Sequence, residues 1–198
     1  LMEFVENIEK GCQNAKGLTH QLLTFARGGE PVKKQCNIVN IVKDSVDFSA
    51  RGSSVEIHYE MPSYQLNVHG DPALLGQVFQ NITLNAVQAM TGGGSLHVSI
   101  NKTGDSGVAI RFKDTGPGID QSVKDTIFDP YVTTREHGTG LGLSSAYSIV
   151  SKHNGSITAS SVTNSGTTVT VYLPLDKSTA DHSTTKKTSP NTAPYQDR

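Results

Sequence analysis

Four short stretches of this 198-residue chain carry residue types that can do chemistry together: Asn81-Ile-Thr-Leu-Asn85, Asp114-Thr-Gly-Pro-Gly118, Ile127-Phe-Asp-Pro-Tyr131 and Gly138-Thr-Gly-Leu-Gly142. Gln77, Asn81 and Asn85 recur every fourth residue and so share one helix face. Their amide oxygens can ligate a hard cation while their NH₂ groups approach phosphate oxygens. Asp114 ends an apolar strand and is followed by glycines, so its carboxylate can accept a hydrogen bond from an exocyclic amine such as adenine's. The glycines at 138–142 open a helix whose free N–H groups and dipole can cradle a triphosphate. This is neither the dinucleotide pattern nor a Walker loop, since the lysine of the latter is missing. Residues 121–137 hold Thr133, Thr134 and Arg135 between two glycine-rich segments, which suits a closing lid, with Phe128, Pro130 and Tyr131 at its base. Each stretch alone also suits a plain role as a solvated helix face, a capped turn or core packing. All four in this order, within one domain's length, describe an ATP pocket closed by a lid.

Such groups need rigid elements behind them, and two periodicities supply these. Residues 54–60, 96–100, 108–112, 156–160 and 167–173 alternate apolar and polar like half-buried strands. Helical patterns lie near 38–48, 72–90 and 141–153. Asp71 is a helix N-cap with Pro72 at the first helical position, and Leu74, Val78, Ile82 and Ala86 follow on one face. One-faced strands under a helix layer predict an α/β fold over 36–174, a two-layer α/β sandwich with a mixed sheet.

Ahead of that domain, Ile8, Cys12, Ala15, Leu22 and Phe25 form one apolar seam, which predicts a long helix ended by Gly28-Gly29. Packing on its own domain and pairing with an earlier helix both satisfy such a seam. From 175 to 198 the chain turns to Ser, Thr, Lys, Asn and Pro, the composition of a disordered tail or linker. The first residue is Leu1 rather than Met, so a piece of a longer protein is expected. Hydrophobic content is 35%, charged content 18% and net charge −1. That balance gives no electrostatic case for nucleic acid or an anionic membrane. No apolar run approaches the ~20 residues that cross a bilayer. Cys12 and Cys36 have neither metal-ligand nor disulfide spacing, so a reduced, cytoplasmic setting is expected.

With these motifs, residues 1–174 closely resemble the sensor histidine kinases of two-component systems. Their ATP-binding domain is of the Bergerat type, shared with DNA gyrase, MutL and the ninety-kilodalton heat-shock chaperone. Asn81 and Asn85 match the family's asparagine box, Asp114, Gly116 and Gly118 its first glycine box, Phe128 to Tyr131 its phenylalanine box, and Gly138, Gly140 and Gly142 its second glycine box. The resemblance implies ATP and Mg²⁺ as cofactors, with Asn85 as the metal ligand and Asp114 reading adenine. Asn81 assists the phosphates, and Arg135 stands where many relatives have lysine; both are assigned to catalysis. It adds Gln88, Ile119, Thr133, Thr134, Thr139, Leu141 and Thr167 to the nucleotide site. It makes 1–29 the second helix of a dimerisation hairpin. The implied partners are a phosphoacceptor histidine helix of the parent protein, a response regulator or receiver domain, and a second copy in the parent's homodimer. A membrane anchor in the parent is compatible with all of this.

The family's acceptor histidine is followed by an acidic residue, and none of the seven histidines here is. In the superfamily's ATPases the first position of the asparagine box is a glutamate that activates water. Asn81 cannot act as a base at neutral pH. Three readings follow: a histidine kinase whose acceptor lies outside this chain, a related serine-directed kinase, and a nucleotide-dependent interaction module without transfer.

Overall fold

The computed structural model describes residues 30–120, 122–135 and 138–176. The helix and seam expected over 1–27, and the tail from 177 onward, lie outside the described residues. Among those described, ten elements follow in order: β1 (Lys34–Asn37), α1 (Ile38–Ala50), β2 (Val55–Glu60), β3 (Asn67–Gly70), α2 (Pro72–Ala89), β4 (Gly94–Thr103), β5 (Gly107–Asp114), α3 (Gly142–Lys152), β6 (Ser156–Ser161) and β7 (Thr167–Pro174). Five strands form one sheet in the order β2-β4-β5-β7-β6. The β2–β4 pair is parallel and the other three pairs are antiparallel, so the sheet is mixed, as expected.

The alternation within each strand decides which face is covered. Leu96, Val98 and Ile100 of β4, Val108, Ile110 and Phe112 of β5, and Val169, Val171 and Leu173 of β7 are all buried. They meet Val42 and Val46 of α1, Val78, Phe79 and Ile82 of α2, and Ile149 and Val150 of α3 in one core. Phe79 and Phe112 stack across the layers with centroids 5.9 Å apart. Continuing β5's alternation past Phe112 puts Asp114 on the same face. A carboxylate thus ends up at the lip of the core, facing the helices.

The helices start where their caps dictate. Asp71 Oδ1 accepts from the N–H groups of Ala73 at 3.0 Å and Leu74 at 3.2 Å, with Pro72 at the first position. Asn37 Oδ1 accepts from Val39 N at 3.1 Å to begin α1. On α2 the buried leucine is Leu75, while Leu74, expected on the core face, is only half-buried.

Two elements were not anticipated. β1 and β3 pair antiparallel in a separate two-stranded sheet, with Cys36 opposite Val68. Each has four residues, too few to display a period, and Lys34-Gln-Cys-Asn37 has no apolar alternation. Leu175, read from the sequence as the start of the tail, is buried and bridges Val68, and Asp176 N donates to Asn67 O at 2.9 Å. One apolar side chain suffices to hold the chain against the small sheet. No helix among the described residues is long and apolar enough to cross a membrane.

Candidate functional site

Asp114 is 7% exposed at the end of β5. Its Oδ1 accepts from Gly116 N at 2.9 Å and from Thr167 N at 3.0 Å. Both of these donors go to Oδ1, and the residue's own backbone N–H adds a third interaction with the carboxyl. Burial raises the pKa of this carboxyl, and the N–H groups of Gly116 and Thr167 oppose the rise. The preceding residue of β7's approach, Gly166, has φ +89°, and a Cβ there would collide with the carbonyl of Asp114. Only glycine lets this loop close over the carboxylate.

The rest of the loop after Asp114 is anchored by a residue the sequence did not point to. Ser161, at the end of β6, accepts from Ile119 N at 2.7 Å and donates to Gly166 O at 3.0 Å. It ties the segment bearing Gly116, Gly118 and Ile119 to the one bearing Thr167. No local pattern marks a serine at a strand end for such work, because its partners lie in other loops. Against α2, the modest approach of Gly116 to Ala89 and Met90 sets the loop at that helix's C-terminal end.

Along α2, Asn81 is half-buried and its Nδ2 donates to Gly142 O at 3.1 Å, which joins the amide face to the start of α3. Leu141, the N-cap residue of α3, makes no side-chain cap hydrogen bond. Among the described residues no side chain hydrogen-bonds the first N–H groups of α3, as an anion cradle requires. Asn85 lies beside this turn, its Nδ2 3.6 Å from where a Cβ on Gly142 would sit.

Arg135 reaches the same place. Its Nη1 donates to Asn85 Oδ1 at 3.3 Å and to Gln88 Oε1, and its Nη2 donates to Asn85 O at 2.7 Å. Arg135 is thus drawn onto the amide face, half-buried, with the guanidinium at the oxygen that the resemblance gives to the metal. Thr133 Oγ1 accepts from Arg135 N at 3.1 Å, while Thr133, Thr134 and Thr139 are exposed. Gly140 has φ +65° and packs on the Tyr131 backbone too closely for a Cβ, and Tyr131 N donates to Gly140 O at 3.1 Å.

The segment leading to Arg135 is a series of turns. Its base is held differently from the expected Phe128, Pro130 and Tyr131. Ile127 is buried and Phe128 packs on Tyr147 of α3 with centroids 5.9 Å apart, whereas Pro130 and Tyr131 are exposed. Tyr131 has a positive φ, 66°, and is 72% exposed.

The expected site residues therefore gather in two groups flanking α2. Asp114, Gly116, Ile119 and Thr167 lie toward its C-terminal end with Gly118. Asn81, Asn85, Gln88, Arg135 and the glycine-rich start of α3 lie along its amide face. The donor set fits a hard cation shared with a phosphate chain. Asn85 Oδ1 is an oxygen ligand of the right kind, and no group of three or more His, Cys, Asp or Glu among the described residues offers a complete protein cage.

Comparison with known proteins agrees with this geometry. Residues 70–177 match the family described as histidine kinase-, DNA gyrase B-, and HSP90-like ATPase. The chain belongs to this family. Its two-layer sandwich is the Bergerat fold of that family. Over 177 residues it is 32% identical to the signal transduction histidine-protein kinase AtoS of Escherichia coli K12, covering 88% of this chain and 29% of AtoS. Over 139 residues it is 34% identical to the sensor histidine kinase ZraS of the same organism, covering 70% of this chain and 30% of ZraS. The chain thus spans under a third of the length of these two relatives. Among solved structures, the nucleotide-free catalytic domain of histidine kinase ThkA superposes with a TM-score of 0.64 at 25% identity, covering 72% of this chain and 95% of that one. Full-length ShkA in complex with AMPPNP gives a TM-score of 0.75 at 21% identity, covering 87% of this chain and 38% of that one, a likeness of fold.

Proposed function

We propose that this chain binds Mg²⁺-ATP between α2, the Asp114 loop and the start of α3, as the catalytic part of a protein-histidine kinase. The observation that carries this is Asp114. It is a buried carboxylate whose Oδ1 takes the N–H groups of Gly116 and Thr167, on the face of β5 that the helices cover. Such an acceptor suits adenine's exocyclic amine. The N–H groups at the start of α3 would take the phosphates. Asn85 would hold Mg²⁺, and the bound cation would neutralise charge that develops on the phosphates.

Arg135 has to leave Asn85 Oδ1 for the metal to be held there, and its guanidinium then becomes available to the γ-phosphate. Asn81 cannot deprotonate water, so the site favours positioning over hydrolysis. In the whole protein a histidine nitrogen outside this chain would attack the γ-phosphorus. The bond to the bridging oxygen would break and ADP would leave. The seam in 1–29, together with the family resemblance, supports reading that segment as the second helix of a dimerisation hairpin, with 36–174 as the catalytic domain. A homodimeric parent and a receiver domain as the next phosphate acceptor complete the scheme.

Calorimetry on Asp114→Asn tests the site. The amide can keep accepting from Gly116 and Thr167, but it can turn an NH₂ toward adenine's own NH₂. Loss of a charge-assisted hydrogen bond of ~1.5–3 kcal/mol should weaken ATP roughly ten- to over a hundredfold. Unchanged affinity would remove Asp114 from the adenine role.

A further inference from the structure

α2 and α3 are joined at two places, and only one of them is in the phosphate cradle. At the cradle end, Asn81 holds Gly142. At the far end, His153, the residue that closes α3, is 3% exposed with both ring nitrogens bonded. Nδ1 lies 2.8 Å from Ile149 O, which can only accept, so Nδ1 carries the proton. Nε2 lies 2.9 Å from the backbone N of Asp71, which can only donate, so Nε2 presents a lone pair. The partners fix a neutral imidazole in one tautomer.

Asp71 is itself the N-cap of α2, so the ring ties the end of one helix to the first residue of the other. There is little slack around it. A Cβ on Gly70 would come 3.0 Å from His153 Cδ2 and 2.7 Å from Leu75 Cδ1. The two ties are separated by about 15 Å of helix on each side, by a rise of ~1.5 Å per residue. The helices already share one core through Val78, Phe79 and Ile82 on one side and Ala146, Ile149 and Val150 on the other, and a hydrogen bond at each end adds a directional restraint on their relative angle and slide.

We propose that His153 is a positioning residue for the phosphate site. By holding the start of α2 against the end of α3, it fixes how Asn81 and Asn85 face the N–H groups at Gly142. The inference rests on the nucleotide reading above and adds a residue with no contact to the nucleotide. It also makes the site sensitive to acid. A proton on Nε2 turns the acceptor into a donor pointed at the Asp71 N–H. Burial depresses the pKa of His153, the Ile149 carbonyl opposes that, the Lys33 charge adds to the depression, and the Asp71 carboxylate opposes it.

The test measures binding of ATP and of adenosine, each with Mg²⁺, between about pH 8 and pH 4, from above the ordinary histidine range to well below it, because burial moves His153 downward. It compares the wild-type chain, His153→Gln and His153→Leu. Glutamine can present Oε1 to the Asp71 N–H and does not titrate. Leucine fills the space without an acceptor. At the alkaline end His153→Leu should bind ATP about tenfold more weakly, with adenosine unchanged and His153→Gln close to wild type. On acidification the wild type should lose ATP relative to adenosine beyond the fall in His153→Gln, whose own slope reports titration of the nucleotide. Equal weakening of ATP and adenosine in His153→Leu, or coincident pH profiles for wild type and His153→Gln, would overturn the positioning role. Should His153→Leu fail to fold, the profiles of the other two decide. A wild-type chain that binds neither ligand overturns the nucleotide reading and this inference with it.

Discussion

Asp114 does two jobs that pull in opposite directions. In the proposed site its burial would favour adenine by excluding competing water, and the same burial penalises its charge before any ligand arrives. A carboxyl whose folded pKa lies above its unfolded value of about 3.9 binds more protons when folded. Its contribution to stability is therefore greatest below that value and is lost as pH rises through the folded pKa. Asp114→Asn keeps the acceptor for Gly116 and Thr167 and removes the charge. The ligand-free variant should be at least as stable as wild type at neutral pH, and the difference should vanish toward acid. Urea unfolding at both pH values checks this, and a variant clearly less stable at neutral pH would mean that the charge is stabilised by groups not seen around it. The buried position of Asp114 at a strand end was legible in the sequence because strand alternation and the following glycines are local signals. Ser161 and His153 were not legible, because what defines them is a partner 42 or 82 residues away.

Among the elements, the regular ones were readable and the irregular ones were not. The five strands of the main sheet and the three helices among the described residues show their period over enough residues to be recognised, and their ends fall within a few residues of expectation. β1 and β3 are too short for that, and the base of the segment before Gly138 depends on which apolar residue happens to face α3. Ile127 and Phe128 hold that base, while Tyr131 is bonded only through its backbone and Thr133 and Thr134 face solvent. Among the described residues, Arg135 carries the segment's side-chain polar hold on α2, through Asn85 and Gln88. Few buried contacts and a single anchoring side chain define a segment that opens at low cost. Hydrogen exchange at 132–135 should therefore be fast without nucleotide and slow on addition of Mg²⁺-ATP, with protection at Ile127 changing little. Equal exchange at 132–135 in both states would rule out closure over the nucleotide.

At the scale of the whole molecule, the question is where the phosphate can go. The site sits between the helices and one edge of the covered face. Among the described histidines, His153 is buried with both nitrogens engaged and cannot act as a nucleophile without breaking the join between α2 and α3. His58 and His97 are register partners on β2 and β4, stacked with centroids 4.6 Å apart. Their neighbours Leu96 and Val98 point into the core, so these rings project from the opposite face of the sheet, away from the helices. His69 is exposed on β3, which belongs to the smaller sheet. None of the four is placed for in-line attack on a phosphate held at the start of α3, and His20, His137 and His182 lack the acidic neighbour expected of an acceptor. Incubated with radiolabelled Mg²⁺-ATP, the chain alone should therefore bind nucleotide and gain no acid-labile phosphate. Adding a helical hairpin that bears a histidine followed by Asp or Glu should restore labelling, on the hairpin and not on this chain. Label found on His20, or on any histidine of this chain, would mean that the acceptor is internal and that the transfer geometry argued from Asp114, Asn85 and Gly142 is wrong.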